Sequence, residues 1–160
     1  MYPDCDEILK MAPDYDIIPV CREIYADVIT PITLLRKLAA VSQRYYLLES
    51  VEGGEKWGRY SFLGFDPVMR VKCNCGKVTI EKDGEETEKV TDKPLEVLRE
   101  ILKDYKAPRV EGLPPFAGGF VGYFAYAMIG YAEPKLKIKK GTFNDYDMML
   151  FDKVIAYDHL

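Results

Sequence analysis

Tyr46-Leu47-Leu48-Glu49-Ser50-Val51-Glu52-Gly53-Gly54-Glu55-Lys56-Trp57-Gly58-Arg59-Tyr60-Ser61-Phe62-Leu63-Gly64 sets two strand signals around a glycine-rich turn. The first strand, Tyr45 to Val51, ends in polar groups. The second, Tyr60 to Leu63, is entered through Gly53, Gly54 and Gly58 and begins beside a guanidinium. An antiparallel return brings Glu49, Ser50, Arg59 and Ser61 into one neighbourhood. Two readings fit these residue types. Glu49 could meet an ammonium and Arg59 a carboxylate, with Ser50 and Ser61 hydrogen-bonding a small zwitterion. Alternatively, Arg59 pairs with Glu49 or Glu52 across the hairpin and the polar groups are structural.

Downstream the strand signals continue. Val68 to Cys75 is read with a two-residue repeat that puts Cys73 and Cys75 on one face and Met69 and Lys72 on the other. Gly76 turns the chain, and Val78 to Glu81 returns. Asp83-Gly84 is a hairpin signal, and Glu85 to Val90 reads as a polar, exposed strand. These strands together predict an antiparallel meander. Ile17 to Ile24 reads as a further strand, with Pro19 placing it at an edge or a strand start. Phe116 to Phe124 is an aromatic strand whose glycines imply a close backbone approach or crowding against another sheet. Met148 to Tyr157 reads as one apolar strand.

Helix signals flank this set. Asp4 caps a short helix over Glu7 to Met11. Thr30 and Pro31 suit the N-cap and first position of a helix whose apolar stripe is Leu34, Leu35, Leu38 and Val41. Pro94 starts another, with Asp92 as its cap, a stripe of Leu95, Leu98, Ile101 and Leu102, and an end near Lys106. Tyr126 to Tyr131 fits one helical turn. The fold class is therefore α+β, mostly antiparallel sheet with flanking helices.

The 160 residues suffice for one domain with a real core; 48% are hydrophobic and 30% charged, which is globular composition. A net charge of −4 gives no electrostatic case for nucleic acid. Lys135, Lys137, Lys139 and Lys140 read as a solvated loop face. No apolar run is long enough for a membrane helix, and the N-terminus lacks the apolar segment of a signal peptide. Cysteines 5, 21, 73 and 75 lack zinc-knuckle spacing and read as free thiols in a reducing cytosol. His159 is the one histidine, and no Ser-His-Asp or Cys-His constellation is argued from it. Gly118-Gly119-x-x-Gly122 is not a dinucleotide fingerprint, because it lies within a strand. Gly53-Gly54 suits a hairpin turn better than a phosphate nest. The apolar strand at Met148 to Tyr157 wants a neighbour on each side, so the end at Leu160 reads as a cut through a longer protein.

Leu47-Leu48-Glu49-Ser50, Glu52-Gly53-Gly54-Glu55 and Gly58-Arg59-Tyr60-Ser61-Phe62-Leu63-Gly64 together resemble the N-terminal region of the anthranilate synthase component I family. Ile18-Pro19-Val20 with Thr30-Pro31 resembles its lead-in. Gly118 to Phe124 with Tyr131, Glu133 and Asp158-His159 resembles its later portion. The resemblance spans nearly the whole chain. It implies the N-terminal part of a larger two-layer α/β chorismate-binding enzyme fold. The family converts chorismate plus ammonia, or glutamine through a partner amidotransferase subunit, to anthranilate and pyruvate. It requires magnesium, in the cytoplasm.

By the same resemblance, the magnesium and chorismate residues belong to a C-terminal domain this chain lacks, so no catalytic and no metal residue is assigned here. Residues 1–160 correspond to the regulatory region where L-tryptophan acts as feedback inhibitor. Glu49, Ser50 and Arg59 are the implied effector residues, and part of the indole wall comes from the missing half. Ala127 departs from the family, which often has an acid there. The other readings are the component that makes aminodeoxychorismate for folate, and a stand-alone binding module. The isolated chain is expected to expose apolar surface where its other half would pack, and to self-associate.

Overall fold

The computed structural model describes residues 1–49, 58–136, 138 and 141–160. The chain forms two compact units. One comprises Met1–Asp66, Leu102–Gly118 and Asp152–Leu160, and the other Pro67–Ile101 and Gly119–Phe151.

The first unit opens with helix α1 (Cys5–Met11). Asp4 caps it: its Oδ1 accepts from the Glu7 N–H at 2.8 Å, and Glu7 Oε2 accepts from the Asp4 N–H at 3.0 Å. Helix α2 (Pro31–Val41) follows its expected N-cap, with Thr30 Oγ1 accepting from the Thr33 N–H at 3.2 Å. Strands β1 (Tyr45–Leu48) and β2 (Tyr60–Phe65) pair antiparallel. Tyr46 lies opposite Gly64 and covers it so closely that a Cβ there would stand 2.2 Å from the tyrosine ring. The third strand of this sheet is β8 (Val154–Asp158), paired antiparallel with β2.

Residues 17–24 do not form the expected strand. Cys21 makes a lone two-way bridge with Tyr2, at 2.9 and 2.7 Å. Pro19 cannot donate, the Ile17 N–H is spent on Lys106 O, and Val20 and Ile24 lie exposed.

The second unit carries a five-stranded antiparallel sheet in the order β5-β4-β3-β7-β6. Its strands are β3 (Met69–Asn74), β4 (Lys77–Lys82), β5 (Glu85–Val90), β6 (Gly119–Phe124) and β7 (Tyr146–Phe151). One face buries Met69, Val71, Cys73, Val78, Tyr146, Met148 and Leu150. Helix α3 (Pro94–Lys103) buries Pro94, Val97 and Leu98, and its Pro94 carbonyl accepts from Tyr146 Oη at 3.1 Å. The opposite face carries charge: Arg70 forks onto Asp147 at 2.8 and 2.6 Å, and Lys72 meets Glu81 at 2.7 Å. A 3-10 turn (Tyr126–Met128) runs into the single-turn helix α4 (Ile129–Ala132).

Several expectations change here. Met69 lies with Val71 and Cys73 on the buried face, since odd positions alternate inward from 69 to 73. Cys75 is not on that face: it is exposed, in the turn after β3, with φ +54°. The α3 stripe is centred one position from the expected one, leaving Leu95 and Leu102 at 36% and 46% exposure. The single meander is instead two sheets. Asp66 adopts φ +47° and Pro67 has no N–H, so the ladder breaks between β2 and β3. Met148 to Tyr157 is likewise two strands, β7 and β8, in different sheets, with Asp152 and Lys153 between them.

The glycine reading of the aromatic strand holds. A Cβ on Gly122 would sit 2.0 Å from the Asp147 carbonyl oxygen of β7. Among the described residues, no helix is long and apolar enough to cross a membrane.

Candidate functional site

The three-stranded sheet gathers polar groups at one end. Leu48 pairs with Phe62, so Glu49 leaves β1 beside the start of β2, where Ser61 follows Arg59 and Tyr60. Tyr60 pairs with Asp158, and the His159 N–H donates to the Arg59 carbonyl at 2.9 Å, bringing the end of β8 to the same place. The two-residue alternation of β2 puts Ser61 and Leu63 on one face and Tyr60 and Phe62 on the other.

Among the described residues Arg59 pairs with Asp158 and not with Glu49; Glu52, the other expected partner, lies outside them. The Arg59 guanidinium forks onto Asp158, Nε to Oδ1 at 2.8 Å and Nη2 to Oδ2 at 2.5 Å. The hydrogen bond to Asp158 raises the Arg59 pKa, and the same bond holds the Asp158 carboxyl below its usual value. Arg59 also lies over the Tyr60 ring, 5.1 Å from its centroid. Ser61 is buried, and its Oγ lies 2.7 Å from Nε2 of the exposed His159. The His159 ring meets Tyr157 edge-on with centroids 4.9 Å apart. On the other face, Phe62 stacks edge-on with Phe116 at 5.6 Å.

Of the three effector residues expected from sequence, Glu49 is exposed at the end of β1 and Arg59 is exposed at the start of β2. Ser50 lies outside the described residues, as do the Gly53-Gly54 turn and Lys137, Lys139 and Lys140 of the basic cluster. Asp158 and His159 were not assigned a role from sequence. Their signal was two polar residues ending an apolar strand, which places nothing until the strand's partner is known. A concavity lined by Tyr2, Cys21, Arg22, Glu23 and Glu111 shares none of these residues.

A second polar cluster lies in the five-stranded unit. Asp145, buried, accepts at Oδ2 from Tyr131 Oη and the Cys75 N–H, both at 2.7 Å, with Cys73 Sγ at 3.6 Å. Burial pushes the Cys73 thiol up to about 11 and the Tyr131 hydroxyl up as well. A thiol so raised is not a nucleophile, and the cluster ties the β3–β4 turn to α4. Among the described residues, no three His, Cys, Asp or Glu side chains converge as a metal cage. These residues do not fit a magnesium site.

The chain is thus an antiparallel α+β protein whose small sheet ends in the Arg59–Asp158 ion pair, the Ser61–His159 contact and the exposed Glu49. No family model matches it. It is 42% identical over 162 residues to anthranilate synthase component 1 of Acetivibrio thermocellus, across 99% of this chain and 32% of that protein. The same-named protein of Pseudomonas aeruginosa is 40% identical over 161 residues, and that of Aquifex aeolicus 36% over 159, each across 97% of this chain and 32% of its own length. The crystal structure of anthranilate synthase component I from Streptococcus pneumoniae superposes with a TM-score of 0.50 at 27% identity, over 88% of this chain and 29% of that one. The chain is homologous to anthranilate synthase component I over nearly its whole length, and spans about a third of the length of those relatives.

Proposed function

We propose that residues 1–160 are the N-terminal, regulatory part of an anthranilate synthase component I. The complete protein forms anthranilate and pyruvate from chorismate and ammonia, or from glutamine with an amidotransferase subunit, in the cytoplasm. Its magnesium and chorismate groups lie in the C-terminal domain, and this chain contributes regulation. The observation that carries the reading is 42% identity across 99% of the chain.

The regulatory part of the proposal rests on the polar sheet end. L-tryptophan presents an ammonium, a carboxylate and an indole. Glu49 receives the ammonium, Arg59 the carboxylate, and Ser50 adds a hydrogen bond. Part of the indole wall is supplied by the C-terminal domain.

The test is fluorimetric detection of anthranilate from chorismate, ammonia and magnesium by the polypeptide that joins this chain to its C-terminal domain, with and without L-tryptophan. Anthranilate formation that tryptophan suppresses supports the proposal. Aminodeoxychorismate as the product would assign the chain to the folate branch. No turnover of chorismate would leave a binding module.

A further inference from the structure

Arg59 offers a carboxylate-binding fork at the start of β2, and Asp158 already fills it with both oxygens, at 2.8 and 2.5 Å. That is the geometry in which a guanidinium receives a ligand carboxylate. The two side chains are 41% and 36% exposed, so one carboxylate can replace another there with little desolvation. Contacts other than the ion pair also hold the sheet end. The His159 N–H holds the Arg59 carbonyl at 2.9 Å, His159 Nε2 meets Ser61 Oγ at 2.7 Å, and β2 pairs with β8 from Tyr60↔Asp158 to Gly64↔Val154. Asp158 Oδ1 also accepts from the Leu160 N–H at 3.2 Å, a bond it can keep when Arg59 turns away.

We propose that Asp158 is an internal competitor for Arg59, a specificity-determining residue that occupies the fork until the carboxylate of an amino-acid ligand displaces it. This rests on the reading of Arg59 as the carboxylate subsite. A tethered carboxylate acts at an effective concentration on the order of millimolar. Simple carboxylates therefore lose to Asp158, and a ligand succeeds only when a second anchor, its ammonium at Glu49, adds to the exchange. The ligand class is thus a free α-amino acid, and the decarboxylated amine has nothing with which to displace Asp158.

The test is calorimetric titration of the complete enzyme, this chain joined to its C-terminal domain, with L-tryptophan and with tryptamine, which lacks the carboxylate. Asp158→Asn is expected to tighten L-tryptophan about two- to fivefold, the scale of an exposed ion pair, and to leave tryptamine unchanged. Asp158→Glu, which keeps the charge, should stay near the original affinity. Weaker or equal tryptophan binding by a folded Asp158→Asn protein overturns the inference while Arg59→Ala still shows Arg59 to be a ligand contact. Loss of the fold in Asp158→Asn also overturns it, because the strand end must stand without the pair. Unchanged tryptophan affinity in Arg59→Ala removes the subsite itself, and the inference with it.

Discussion

Gly122→Ala separates propensity from packing. Glycine inside a strand is normally a weakness, and alanine in its place stabilises by about 0.4–1 kcal/mol through the unfolded chain. The structure reverses that sign. The new Cβ would lie 2.0 Å from Asp147 O, 2.8 Å from Met148 Cα and 2.9 Å from Asp147 C, all backbone atoms of the neighbouring strand. Backbone has no rotamer with which to retreat, so β6 must move off β7. Overpacking of this kind costs about 1–3 kcal/mol, and an overlap this deep belongs at the upper end. The net destabilisation is then about 2 kcal/mol, which for a chain of this size lowers the melting temperature by about 4–8 °C. Urea unfolding and a calorimetric melt measure it, and amide exchange should speed selectively along Gly119–Phe124. A variant as stable as the parent, or more so, refutes the close approach and with it the β6–β7 register.

Asp145→Ala strips the acceptor from the Cys75 N–H and Tyr131 Oη, and should cost about 2–4 kcal/mol in urea unfolding; a loss within the error of the fit would show that water replaces the carboxylate. Cys73, whose thiol is pushed up to about 11 by burial, should stay unlabelled by a thiol reagent in folded protein while Cys5 and Cys75 react; mass spectrometry of the peptides would contradict this if Cys73 labelled equally fast. Asp158 should titrate below the ordinary aspartate range by NMR, because the Arg59 hydrogen bond lowers it. The pair therefore contributes above the unfolded carboxyl value and fades as pH falls through the lowered folded one, with little effect on the melt because both groups are exposed; Arg59→Ala should return the titration upward, and no change would dissolve the pairing. Ser50→Ala in the complete enzyme should weaken tryptophan inhibition roughly tenfold, the scale of one hydrogen bond, while sparing turnover; unchanged inhibition would remove Ser50 from the site.

What could be read from the sequence was local. The caps at Asp4 and Thr30, the Asp83-Gly84 hairpin and the exposed strand Glu85–Val90 all rest on contacts within a few residues, and all appear as expected. The assignment of strands to sheets was not local. Met148 to Tyr157 is apolar on both sides of Asp152, so its pattern gives no sign that β7 and β8 join different sheets. Pro67 after Asp66 was the available sign that the meander breaks, and it carries weight only once Asp66 is seen at φ +47°.

The candidate site divides in the same way. Glu49, Ser50 and Arg59 stand out as charge and hydroxyl beside a turn. Asp158 and His159 reach Arg59 and Ser61 only through the β2–β8 pairing, with Arg59 and Asp158 99 positions apart in sequence. The residue that competes for Arg59 was therefore invisible until the sheet was built. Exposed apolar side chains include Tyr25 at 97% and Phe143 at 74%.

The regulatory reading stands or falls on tryptophan inhibition of anthranilate formation, titrated in the complete enzyme and in its Glu49→Gln and Arg59→Ala variants. The expected result is inhibition in the parent that weakens at least tenfold in each variant, with the uninhibited rate retained. Equal inhibition of all three proteins would contradict the placement of the effector at this sheet end.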